Sequence, residues 1–226
     1  MPFGPPYLIG PAATQPALLQ IFSRPQGRHP PAFLFSAPHG LGWPLNVPNR
    51  AAAQGALLGG EFKGVGFSPL PLTPDTYLAA TDLDASANVR GLIAFHFACF
   101  GMGTPKNDKF SFNPPEVPAQ LAPQPFFSAL PKRMLSHPGG PALATIGHIE
   151  RAWATSIQPP NTDPQIQPFQ NAIAKILRGL PLGLALTDFS LAYGQFAAIV
   201  GQMLADKLDG LPVDNDKLAM AWTQQN

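Results

Sequence analysis

The sequence predicts an α/β fold built on a largely parallel sheet, on three observations. Residues 32–37, 91–98 and 142–149 are short apolar runs bounded by Gly, Pro or polar residues, and the first is apolar on both faces, as a strand covered by helices must be. Long stretches separate these runs, enough for helical or loop crossovers between neighbouring parallel strands. The C-terminal part carries apolar residues at a helical period, with Phe169, Ile173, Ile176 and Leu177 in one segment and Phe189, Phe196, Val200 and Leu204 in the next.

Taken in order, residues 7–10 read as an edge strand or a fragment of one, and 15–23 as a short helix before the Pro/Arg-rich break at 24–31. The strand at 32–37 runs into a loop over 40–49. Residues 51–58 are apolar, helical or extended, and end at Gly59-Gly60; 61–78 read as irregular with a short hairpin near 62–67. After the strand at 91–98 comes a Pro-rich excursion over 101–125, then a helix over 126–135 ended by His137-Pro-Gly-Gly-Pro141. The third strand, 142–149, precedes helices over 168–177, stopped by Gly179, and 187–208. Twenty-nine prolines, clustered between the apolar runs, predict long loops with fixed φ. No internal repeat is visible, and residues 1–226 read as one domain, with room for its being part of a longer protein.

With 45% hydrophobic and 12% charged residues in 226, the chain can bury a full core. A formal net charge of +1 argues against nucleic acid or an anionic membrane as partner. A single cysteine excludes an internal disulfide framework and a Cys-rich zinc site. No apolar run reaches the roughly 18–20 residues of a membrane span, and Met-Pro-Phe-Gly-Pro-Pro is no secretory signal, so a cytoplasmic protein is expected.

The chemistry concentrates where the runs end. The first stops at His39-Gly40-Leu-Gly42 and the second at Cys99-Phe-Gly101, and in parallel sheets such carboxyl ends form sites. An imidazole beside a thiol can take its proton or hold the thiolate as an ion pair, the usual route to a cysteine nucleophile. Gly40 lets the chain turn so that backbone N–H groups near Gly40 and Cys99 can stabilise an oxyanion.

Four blocks follow one another: Ser36-Ala-Pro-His39-Gly-Leu-Gly-Trp43, Gln54-Gly-Ala-Leu-Leu58, Phe95-His-Phe-Ala-Cys99-Phe-Gly-Met-Gly-Thr-Pro105 and Ala142-Leu-Ala-Thr-Ile-Gly-His-Ile-Glu-Arg-Ala-Trp153. Together, over roughly residues 30–200, they resemble the CHAT-type and gingipain-like cysteine peptidases, relatives of caspases and separase. The resemblance implies a caspase-haemoglobinase-like three-layer sandwich with a mainly parallel central sheet. It also implies a His39–Cys99 catalytic dyad, with Gly40 in the oxyanion hole, and a protein or peptide substrate cut through an acyl-enzyme without any cofactor. A regulatory protein or domain is a further partner. Two departures stand out: Pro38 precedes His39 where a small polar residue is usual, and the chain stops about where one more strand is expected.

Other residues divide between a site role and a plainer one. Glu150 and Asp108 are candidates for a pocket that selects a basic side chain, the plainer reading of Glu150 being a pair with Arg151 or Arg133. His148 reads as a groove or structural residue, His96 as a core histidine, and His29 and His137 as surface ones. Trp153 and Trp43 are groove walls or packing. Zinc held by His39, Cys99 and His148 lacks any closely spaced ligand pair to support it. The alternative function is a non-catalytic caspase-like domain that binds a protein partner.

Overall fold

A computed structural model of the chain describes residues 8–23, 31–48, 50–62, 72–110, 119–159 and 162–224. The apolar runs form strands where expected, but shorter. Among the described residues the strands are β1 (Phe33–Ser36), β2 (Leu57–Leu58), β3 (Tyr77–Leu78), β4 (Ile93–His96), β5 (Gly103–Thr104), β6 (Phe126–Phe127) and β7 (Ala144–Gly147). The helices are α1 (Gln15–Phe22), α2 (Arg50–Ala53), α3 (Ala129–Leu135), α4 (Gln167–Leu177), α5 (Leu182–Ala185), α6 (Thr187–Leu208) and α7 (Asn215–Gln224). Three parallel strands in the order β1-β4-β7 with, among the described residues, seven helices make the chain α/β.

Contacts gather the chain into two compact units, Met1–Asn107 with Gln120–Arg151 and Asp108–Ala119 with Ala152–Asn226. In the first, Phe33, Leu34, Phe35 and Ser36 stand opposite Ile93, Ala94, Phe95 and His96. Those in turn face Ala144, Thr145, Ile146 and Gly147. β4 is the buried centre, whereas β1 is an edge whose Phe35 is partly exposed, so its double-sided apolarity overstates its cover. One face of the sheet packs Leu34 and Ala94 into a core with Phe22, Leu83, Leu92, Leu130, Met134 and Ala142. Burying such side chains contributes about 1.5–3 kcal/mol each. A second cluster holds Leu41, Ala56, Leu58 and Ala79 beneath Trp43 and Tyr77.

Several expectations change. Residues 51–58 are both alternatives in turn, helix α2 and then β2, which pairs with β3. The helix expected over 126–135 starts only at Ala129, because Phe126–Phe127 pair with β5. Residues 8–10 form no strand and lead into a 3-10 turn over Gly10–Ala12. Tyr7 and residues 63–67 of the expected hairpin lie outside the described residues.

The second unit is helical. α4 ends as expected at Gly179, at φ +75, where Gly179 N–H bonds Ile176 O and Leu180 N–H bonds Lys175 O, a Schellman stop. Phe169 of α4 meets Phe189 of α6 edge to face with ring centroids 5.0 Å apart. α7 carries no strong apolar stripe and escapes a sequence reading; Asp214 starts it by accepting the N–H groups of Asp216 and Lys217. Among the described residues no helix is long and apolar enough to cross a membrane.

Candidate active site

The sheet register explains why His39 and Cys99 come to one edge of the sheet. Ser36 pairs with His96 and His96 with Gly147, so His39, Cys99 and Glu150 each lie three residues beyond one row. Phe97 N–H still bonds Ser36 O at 2.8 Å past the last strand residue. Beyond it, Gly40 lies against the backbone of Cys99: a Cβ there would fall inside the Cys99 carbonyl and only 2.8 Å from its N. Gly40 is not left-handed, so its small size answers this approach and not the sharp turn that the sequence reading assigns to it. Cys99 is half-buried and His39 exposed.

Cys99 sits on a tight turn closed by Gly101 N–H to Ala98 O at 3.1 Å. The next residue, Phe100, is at φ 56, a left-handed conformation that costs a non-glycine residue roughly 1–2 kcal/mol. Phe100 N–H is committed to Glu150 O, which removes it as an oxyanion donor. The trans peptide then turns the Cys99 carbonyl the other way, towards Gly40.

The four sequence blocks interlock around this turn. Leu58 N–H bonds His39 O at 2.9 Å, Gly55 N–H bonds Leu41 O at 2.8 Å, and Gln54 Oε1 accepts Trp43 N–H at 2.8 Å. From the other side, Met102 N–H bonds His148 O at 2.9 Å and Glu150 N–H bonds Gly103 O at 3.1 Å. Trp43 also meets Tyr77 edge to face with centroids 6.3 Å apart, a packing role.

The remaining candidates fall into place one by one. Glu150 is buried at 2% exposure, at φ 81, with Oε1 2.7 Å from Arg151 Nη1, so its carboxylate is engaged by the neighbouring arginine. Arg133, the other partner considered, donates to Leu83 O. His148 packs edge-on to Phe97 with centroids 4.8 Å apart, and its Nδ1 is buried without a hydrogen-bond partner. Burial pushes its pKa down to about 4, against a smaller upward pull from the His96 backbone. His96 is fully buried, with Nδ1 2.7 Å from Ser36 Oγ, and burial alone pushes it down to about 4. His137 is buried, not a surface residue: Gly139 N–H donates to Nδ1, which leaves Nε2 to donate to Asp84 O at 2.6 Å. His29 lies outside the described residues.

Asp108 and Trp153 belong to the second unit. There Asp108 Oδ1 accepts the N–H of Phe110 at 2.8 Å, an Asx turn, and Trp153 meets the Phe110 ring with centroids 5.8 Å apart. Among the described residues no three His, Cys, Asp or Glu side chains gather as metal ligands, so His39, Cys99 and His148 do not form a zinc set.

Sequence reasoning missed Ser128, which is fully buried and donates from Oγ to Phe100 O at 2.5 Å. Inside the helix expected over 126–135 it reads as an ordinary helical residue, and nothing in the sequence ties it to Cys99. Compared with protein families, with curated proteins and with solved structures, the chain matches none.

Proposed function

We propose that this chain is a cysteine endopeptidase with a caspase-like three-layer fold of the CHAT and gingipain-like kind, hydrolysing peptide bonds through His39 and Cys99. The observation that carries the reading is the seat of Cys99, a solvent-reachable thiol on a pinned turn whose backbone touches the residue after His39. Motifs remote in sequence contact one another around that turn, which a chance arrangement of a buried thiol does not require.

In this reading His39 takes the Cys99 proton and the thiolate attacks the scissile carbonyl carbon, moving the π pair onto oxygen. The N–H groups of Gly40 and Cys99 are the proposed oxyanion donors, Phe100 N–H being already bonded to Glu150 O. The C–N bond breaks as His39 protonates the leaving amine. Water, giving a proton to His39, then attacks the thioester and releases the acid and the thiol. No cofactor enters. A lone cysteine suits a reducing compartment such as the cytoplasm.

The test is a pooled peptide library digested by wild type, Cys99→Ala and His39→Ala, with cuts read by mass spectrometry. Cleavage by wild type alone is expected. Wild-type silence, with Cys99 labelling no faster than in the urea-unfolded chain, would leave the partner-binding domain as the better reading. Because Arg151 already engages Glu150, a preference for basic residues before the cut is not expected to depend on Glu150.

A further inference from the structure

Ser128 stands at the N-cap of α3, where a serine ordinarily accepts a backbone N–H of the first helical turn. It makes no such bond; its hydroxyl is given to the carbonyl of Phe100, 28 positions earlier in the chain. The forgone cap leaves a local stabilisation unused, and natural sequences break such local rules chiefly where function demands it. The Phe100 carbonyl is held at the one residue of the turn that adopts a strained left-handed conformation. Gly55, itself left-handed at φ +76, brings its α-carbon against the same carbonyl, and a Cβ there would lie 2.8 Å from Ser128 Oγ.

We propose that Ser128 is a positioning residue that fixes the Cys99 turn. With Phe100 N–H tied to Glu150 O and Phe100 O tied to Ser128 Oγ, neither flanking peptide plane of Phe100 can rotate. Ser128 N–H adds a bond to Met102 O at 3.0 Å, so one residue grips the turn at two carbonyls. The Cys99–Phe100 peptide is thereby held with its carbonyl towards Gly40, which sets where the Cys99 side chain leaves the turn. Losing the hydroxyl leaves a buried carbonyl unpaired beside a strained residue, and the turn relaxes. The consequence for thiol reactivity rests on the peptidase reading; the grip itself does not.

The experiment compares wild type, Ser128→Ala and Ser128→Thr by residue-resolved amide exchange and by iodoacetamide labelling between about pH 5 and 9. Slow exchange at Phe100 and Met102 in wild type, faster exchange in Ser128→Ala and recovery in Ser128→Thr are expected. In labelling, Ser128→Ala should lose roughly tenfold of the wild-type rate at pH 7, and Ser128→Thr should recover it. Unchanged exchange at both amides in Ser128→Ala would overturn the proposal. Should that variant not fold, Ser128→Cys, a near-isostere with a weaker donor, replaces it: faster exchange at Phe100 than in wild type upholds the grip, and unchanged exchange overturns it. If wild-type Cys99 labels no faster than in the unfolded chain, the peptidase reading fails, and the exchange data still judge Ser128.

Discussion

In the first unit Gly40, Gly42 and Gly55 stand where a Cβ would enter the Cys99 carbonyl, the Phe100 ring or the Phe100 carbonyl. In the second, Gly183, Gly194 and Gly201 lie within helices with no atom in reach of a Cβ. The contrast extends to the apolar residues. The first unit hides Leu83, Val89, Leu92 and Ala94 completely, whereas α6 buries only Val200 and leaves Leu191 and Leu208 65% and 88% exposed. Glycine and leucine thus mean different things in the two places. Around Cys99 they are fixed by close contact, and in α6 much of the sequence is free to change.

The largest expected effect comes from making one substitution in both places. Gly40→Ala forces the Cys99 backbone aside, which costs roughly 3 kcal/mol and, on the peptidase reading, abolishes turnover. Gly194→Ala and Gly201→Ala, exposed in mid-helix, should each stabilise by about 0.5–1 kcal/mol. Denaturant midpoints for the three variants check this. A neutral Gly40→Ala would mean that the edge of the sheet yields easily, and the comparison between units would lose its basis.

Acid sharpens the contrast next. His96 is neutral in the fold because burial pushes it down to about 4, while in the unfolded chain it titrates near 6.5. A folded-state pKa below the unfolded one means that the unfolded chain binds the extra proton first. The stability is therefore whole above about pH 6.5 and is lost as pH falls towards 4, by roughly 3 kcal/mol. His148, also pushed down to about 4 by burial, acts in the same direction. Trp43 in the first unit reports this transition once Trp153 and Trp222 of the second are changed to Phe. His96→Asn should flatten the slope, and an unaltered slope in that variant would assign the acid sensitivity elsewhere.

These assignments show what the sequence reveals and what it hides. The strands around residues 33–36, 93–96 and 144–147 are legible because an uninterrupted apolar run has few other uses, and the ends of β1 and β4 put His39 and Cys99 on one edge. Phe126–Phe127 look like a helix start because a two-residue ladder leaves no period to detect. His137 looks exposed because only the fold brings Asp84 O to it across 53 positions. Ser128 is hidden for the same reason: locally it reads as helix, and its partner is chosen by tertiary contact. Glu150 is partly legible, since its partner is the next residue in the chain.

The smallest effect belongs to the second unit and tests whether its helices depend on any single polar contact. Asp188 accepts from Asn171 at 2.6 Å and pairs with Lys175 at 3.0 Å, joining α6 to α4. The Asn171 hydrogen bond first, then Lys175, hold its carboxyl below the ordinary carboxylate value. A lowered carboxylate pKa means that the contribution is whole above the unfolded value and is lost only as pH falls through the folded one, below about 4. The second unit, which has no histidine, should therefore answer acid only below about pH 4, whereas the first answers from about pH 6.5 downwards, its own Asp84 being held below the ordinary carboxylate value by Ser86. Asp188→Asn keeps the side-chain shape and removes the charge, and the pair it breaks is partly exposed. Its midpoint should move less than that of Gly194→Ala, and the difference should vanish in about 0.5 M salt. A loss as large as that of Gly40→Ala would show that α4 and α6 are held by a specific contact after all, and that the looser packing of α6 is no guide to where this chain tolerates change.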